Sequence, residues 1–146
     1  MKFLLICYLA SDNESVWKIP INIDFPDKFR SENSPTTPSK WLETKTDTMQ
    51  SVFKPYFLNI KATGYYRVNY DEENWRDLTS TLKKYGDSRI NRLNRAALVD
   101  DIMNLARSGK VDYDLALDLL LYLKMENDYI PWEAAFRLWQ YRLWSF

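Results

Sequence analysis

The side chains best suited to chemistry in this chain are carboxylates, one arginine and one thiol. Asp100 and Asp101 stand side by side, Asp112, Asp114 and Asp118 recur over a short span, Arg67 sits within Tyr65-Tyr66-Arg67-Val68-Asn69-Tyr70, and Cys7 lies in an apolar run. Paired carboxylates can move protons or hold a cation, a guanidinium can fork two bonds onto a carboxylate, and a thiolate can attack a carbonyl. Each use needs a partner at the right spacing. Adjacent residues on a helix diverge by about 100°, so Asp100 and Asp101 are expected as solvated or capping groups. The later aspartates lack the glycine and closing glutamate of a calcium loop and are read the same way. Arg67 is expected to make an ion pair or backbone contact that holds the strands against the first helix. The 146 residues include no histidine, so a serine or cysteine nucleophile has no imidazole base. Gly64, Gly86 and Gly109 are too scattered for a phosphate loop. Cys7 is the single cysteine; it can form no internal disulfide and is expected as a small buried hydrophobe.

The elements that would position these groups change character at Asp71. Before it the period is two. Trp17, Ile19, Ile21 and Ile23 alternate with Lys18, Pro20, Asn22 and Asp24, which predicts a strand with one apolar face, and Pro20 places it at an edge. Residues 26–40 read as a loop, and Trp41-Leu42 as the opening of a short strand. Phe57-Leu58-Asn59-Ile60 and Tyr65–Tyr70 bracket Lys61-Ala62-Thr63-Gly64, which predicts a hairpin with Gly64 at positive φ. After Asp71 the period becomes 3.6. Asp71 caps a helix carrying Trp75, Leu78 and Leu82, and Gly86 ends it. A second helix, starting near Asp87 or Ser88, carries Ile90, Leu93, Ala97, Leu98, Ile102 and Leu105 to a stop at Gly109. Asp112 caps a third with Leu115, Leu119, Leu120 and Leu123 as its stripe, and Pro131 opens a fourth through Trp132, Phe136 and Trp139. Short connections imply that successive helices lie antiparallel, as in stacked helix pairs.

Several phrases, in one order, resemble the aminopeptidase N family of zinc exopeptidases. They are Trp17-Lys18-Ile19-Pro20-Ile21, Gly64-Tyr65-Tyr66-Arg67-Val68-Asn69-Tyr70-Asp71 with Asn74-Trp75, Asn94-Arg95-Ala96-Ala97-Leu98-Val99-Asp100-Asp101, Asn104-Leu105-Ala106-Arg107, and Tyr129-Ile130-Pro131-Trp132-Glu133-Ala134-Ala135. The resemblance implies an α+β chain: residues 1–70 as part of a β-sandwich, and residues 71–146 as about four helices at the start of an α-superhelix. The family's zinc lies in a catalytic domain and is held by a His-Glu-x-x-His helix, where two imidazoles one turn apart face one metal. Without histidine no such site can be built. Met125-Glu126-Asn127 echoes the family's Gly-Ala-Met-Glu-Asn signature, but Leu123-Lys124 precede it without the glycine, and the match is read as coincidence. No catalytic, cofactor-binding or metal-ligating residue is assigned here.

The expectation is therefore a non-catalytic segment of such an enzyme, bridging sandwich and helical domain. The alternative is an independent module that docks on a full-length relative or another protein through exposed apolar helix faces. Hydrophobic residues make up 46% and aromatics 16%, while 20 basic residues balance 20 acidic ones; that balance gives no electrostatic reason for nucleic acid as a partner. No apolar run reaches the roughly 20 residues of a spanning helix. Met1–Ala10 has the charged start and apolar centre of a secretory signal, but is read as a buried strand. Asn13-Glu14-Ser15 is a glycosylation sequon that would matter in a secreted chain. The helical pattern stops at Leu143-Trp144-Ser145-Phe146 without a polar cap. The apolar stripes of the third and fourth helices, including Leu119, Leu123, Phe136 and Trp139, are expected to be incompletely covered.

Overall fold

The computed structural model describes residues 4–6, 18–25, 34–44, 54–85 and 89–143, with the side chains of 4–6 and 138–143 excepted. Cys7, Asn13, Trp17, Gly86, residues 144–146 and the side chain of Trp139 lie outside that description. Among the described residues six short strands precede four helices: β1 (Leu4–Ile6), β2 (Ile19–Ile21), β3 (Ile23–Asp24), β4 (Lys40–Leu42), β5 (Phe57–Leu58), β6 (Arg67–Asn69), then α1 (Glu72–Tyr85), α2 (Arg92–Arg107), α3 (Tyr113–Leu120) and α4 (Tyr129–Leu143). Single 3-10 turns follow β5 at Ile60–Ala62 and α3 at Leu121–Met125. The chain is thus mixed α+β. Among the described residues no helix is long and apolar enough to cross a membrane.

The strands form three antiparallel two-stranded ladders, β1 with β6, β2 with β4 and β3 with β5. The expected hairpin is absent: β5 pairs with β3 through Leu58 opposite Ile23, and β6 pairs with β1 through Val68 opposite Leu5. Leu4–Ile6, in the apolar start, is a strand. The predicted strand through residues 17–24 also breaks in two at Asn22. Ile19 and Ile21 are buried as expected, but so are Asn22 and Asp24 from the supposed polar face. A buried polar side chain must find partners, and Asn22 finds three. Its Oδ1 accepts the Ile60 N–H at 2.7 Å, and its Nδ2 donates to the Thr36 carbonyl and to Thr63 Oγ1. Asn22 thus trades a place on a solvated face for the task of tying three segments together.

Helix boundaries follow local chemistry. Asp71 caps α1, its Oδ1 accepting the Asn74 N–H at 2.8 Å, and Trp75, Leu78 and Leu82 are buried on one side. The Trp75 ring stands edge-on to Tyr70, with centroids 4.8 Å apart, and its Nε1–H donates to Asn69 Oδ1. α2 begins later than expected because Asn91 is its cap, accepting the Leu93 N–H; Ile90 is buried just before it. Its end at Gly109 matches expectation, with φ +69° and the paired bonds Gly109 N–H to the Ala106 carbonyl and Lys110 N–H to the Leu105 carbonyl. Asp112 occupies the cap position of α3 without a side-chain bond, and Asp128 caps α4 by accepting the Ile130 N–H. Pro131 falls in the first turn of α4, where its missing N–H is harmless.

The expected contact between successive helices is present for α2 and α3, but α2 packs most extensively against α4, and α1 packs against α3 and the 3-10 turn after it. Of the stripes expected to be incompletely covered, Leu119 and Leu123 are buried. Phe136 remains 53% exposed and stacks on Trp132.

Candidate functional site

The strained turn between β5 and β6 is the starting point of the site. Asn59, Lys61 and Ala62 have φ of 59°, 56° and 52°, a region that costs a residue with a Cβ roughly 1–2 kcal/mol. Three asparagines hold it there. Asn59 accepts the Gly64 N–H and donates to the Gly64 and Tyr66 carbonyls, Asn22 accepts the Ile60 N–H, and Asn94 of α2 accepts the Lys61 N–H. Gly64 is not the residue at positive φ. Its role is steric, since a Cβ there would meet the Tyr66 ring at 2.1 Å. That ring is pinned because the Tyr66 hydroxyl donates to the Pro20 carbonyl at 2.7 Å.

β6 then presents Arg67 to α2 rather than to the first helix. One guanidinium nitrogen, Nη1, reaches both adjacent carboxylates: Asp100 Oδ2 in a close ion pair and Asp101 Oδ1 at 3.2 Å. Asp101 Oδ2 also accepts the Val68 N–H at 3.1 Å. Asp101 is therefore largely withdrawn from solvent while Asp100 stays partly exposed; although the two diverge on the helix, a single side chain from β6 spans both. Burial pushes the Asp101 carboxyl up to about 7, opposed by the Val68 N–H and Arg67 and reinforced by Asp100. The later aspartates do not join them, and Asp118 pairs with Lys83 of α1.

Turn, α2 and α4 enclose a cleft of about 960 Å³. Its wall on α2 runs from Leu93, Ala96 and Ala97 to Asp100, Asp101, Asn104 and Arg107. Leu93 and Ala97, expected in the core stripe, face this cleft instead. α4 contributes Ile130, Glu133, Ala134 and Arg137, with Glu133 and Arg137 paired at 2.8 Å.

A second ion pair lies in the interior. Arg95 of α2 forks onto Glu126, Nε to Oε2 at 2.6 Å and Nη2 to Oε1 at 2.8 Å, and Nη1 donates to the Ile90 carbonyl. Glu126 Oε1 also accepts the Asp128 N–H. Burial works against the Glu126 charge, yet Arg95 and the Asp128 N–H outweigh it and hold the carboxyl below its usual value. The Met125-Glu126-Asn127 phrase thus has a structural use in this chain. The sequence carried a signal for it: Arg95 shares the apolar face of α2 with Leu98, Val99 and Ile102, and a charge there requires a buried partner.

The sequence profile of the ERAP1-like C-terminal domain matches residues 55–146, which take in the strained turn, β6 and the four helices. The chain belongs to this family. Among its relatives, aminopeptidase N of Plutella xylostella is 41% identical over 139 residues, covering 86% of this chain and 14% of that protein. Human aminopeptidase N is 51% identical over 78 residues, 53% of the chain and 8% of the relative. The human thyrotropin-releasing hormone-degrading ectoenzyme is 34% identical over 130 residues, 86% of the chain and 12% of the relative. The chain corresponds to the C-terminal region of aminopeptidase N proteins and spans a small part of their length. In this member of the ERAP1-like C-terminal family, Asp100, Asp101 and Glu126 all have structural partners.

Proposed function

We propose that this chain is the joint of an aminopeptidase N-type protein, with residues 1–70 completing a β-sandwich unit, residues 71–146 opening a helical superhelix, and the peptidase chemistry lying elsewhere in the parent. The observation that carries the reading is the interlock across the junction. Arg67 and Val68 of β6 engage Asp100 and Asp101 of α2, and the Lys61 N–H engages Asn94 of the same helix. Such a lattice of charged and backbone bonds fixes the angle between two units more tightly than apolar contact alone, because each bond has a preferred direction.

The zinc implied by the resemblance does not fit these residues. The chain has no histidine, and among the described residues no three potential ligands cluster. Asp100 and Asp101 are engaged by Arg67, and Glu126 by Arg95. The purified chain is therefore expected to hold no stoichiometric zinc and to release no amino acids from aminoacyl amides. Zinc-dependent turnover that survives removal of contaminating peptidases would overturn the non-catalytic reading.

One observation favours the second reading, an independent docking module. Tyr113, Leu117, Leu121 and Met125 follow one another at four-residue spacing along α3 and the turn after it, and all are exposed. Sedimentation and thermal melting of the purified chain separate the two. A monodisperse monomer with a sharp thermal transition supports the module, whereas self-association or a broad transition supports the joint.

A further inference from the structure

A protein without histidine lacks the side chain that ordinarily titrates near neutrality. Asp101 stands where that function can be supplied. Its side chain is only 13% exposed, and it lies at the seam where β6 crosses α2. Two anionic groups there share one cationic nitrogen. Arg67 Nη1 makes its close contact with Asp100 and its longer one, 3.2 Å, with Asp101. Asp100 is further engaged by Asn104 Nδ2 and lies in a better-solvated and better-bonded place. Asp101 has the Val68 N–H and the weaker share of Arg67.

The other groups packed around Asp101 offer it little. The Tyr66 hydroxyl donates to the Pro20 carbonyl, and the Tyr70 hydroxyl accepts the Leu58 N–H within the core. Across the cleft, Glu133 and Arg137 of α4 are paired with each other, and Arg107 lines the cleft farther along α2. The seam therefore carries one negative charge more than Arg67 can neutralise.

We propose that Asp101 is a proton-operated latch between β6 and α2: protonated, it leaves Arg67 to Asp100 while still accepting the Val68 N–H; ionised, it buries an excess charge that loosens the seam. Burial, the largest influence on this carboxyl, moves it to about 7, with Asp100 adding to the shift and Val68 and Arg67 opposing it. A carboxyl raised in the folded state contributes stability that is fully present below its unfolded value, 3.8. That contribution is lost as pH rises through about 7. The latch thus closes on the acid side of neutrality and eases on the alkaline side. It depends on the β6–α2 contact and not on whether the joint serves a peptidase.

The test is denaturant unfolding of the full chain from about pH 5 to 8.5, for the parent sequence, Asp101→Asn and Asp100→Asn, together with carbon NMR of the aspartate carboxyls. The parent should lose stability through neutrality, and one carboxyl should titrate there. Asp101→Asn should abolish that resonance and flatten the profile. Asp100→Asn should move the same titration to lower pH, because a neighbouring negative charge is gone; this variant decides the matter if Asp101→Asn does not fold. The amino terminus and Cys7 are common to all three proteins. A parent profile flat through neutrality, a profile unchanged in Asp101→Asn, or every aspartate carboxyl titrating below about pH 5 would overturn the latch.

Discussion

Arg95 and Glu126 face each other as a two-pronged ion pair with side chains 3% and 0% exposed, 31 residues apart in sequence. It joins the first turns of α2 to the capping segment of α4, and so underlies the most extensive helix contact in the chain. Removing one member of such a pair leaves an uncompensated buried charge. Arg95→Ala should cost about 3–5 kcal/mol in urea unfolding, whereas Arg95→Met combined with Glu126→Leu should cost much less, since neither charge then remains to be desolvated. A double variant as unstable as the single one would mean that packing, rather than charge, makes the site sensitive.

Acid should act through the same residue. The Glu126 carboxyl is held below its ordinary value of 4.5. A depressed carboxyl contributes stability that is present above its unfolded value and is lost as pH falls through the folded one. Stability measured from about pH 6 downward should therefore decline below about 4.5 in the parent. Glu126→Gln, though less stable at neutral pH, should decline less steeply. Parallel acid profiles would count against Glu126 as a contributor.

The turn after β5 offers opposite effects at two nearby positions. Gly64→Ala places a Cβ against the Tyr66 ring and should cost about 1–3 kcal/mol by overpacking. Ala62→Gly relieves a positive φ and should be neutral or stabilising by up to about 1 kcal/mol, the relief being partly offset by added freedom of the unfolded chain. Thermal melts of the two variants check both signs.

Asn74 is fully buried in α1, and its amide spans the backbone of Tyr56, accepting the N–H at 3.1 Å and donating to the carbonyl at 2.8 Å. Asn74→Ala strands both groups, at about 1–3 kcal/mol each. Amide exchange at Tyr56 should rise with the loss of stability. Protection that is unchanged would show that another group satisfies this N–H.

Features that rest on neighbours along the chain are legible in the residues alone. The change of period at Asp71, the cap it supplies, the glycine stop at Gly109 and the apolar face Trp75, Leu78, Leu82 belong here, because each depends on contacts within one or two helical turns. The absence of histidine likewise excludes a His-Glu-x-x-His site from composition alone. Partners, by contrast, were settled in three dimensions. Phe57–Leu58 and Arg67–Asn69 look like two arms of a hairpin, yet they pair with β3 and β1, because a short strand has no local preference strong enough to choose its ladder. Arg67, expected against the first helix, reaches the second. Asn22, Asn94 and Asp101 look like surface residues and are buried or nearly so. The cost of burying a polar group is offset by bonds to segments tens of residues away. That offset depends on distances in space that no periodicity records.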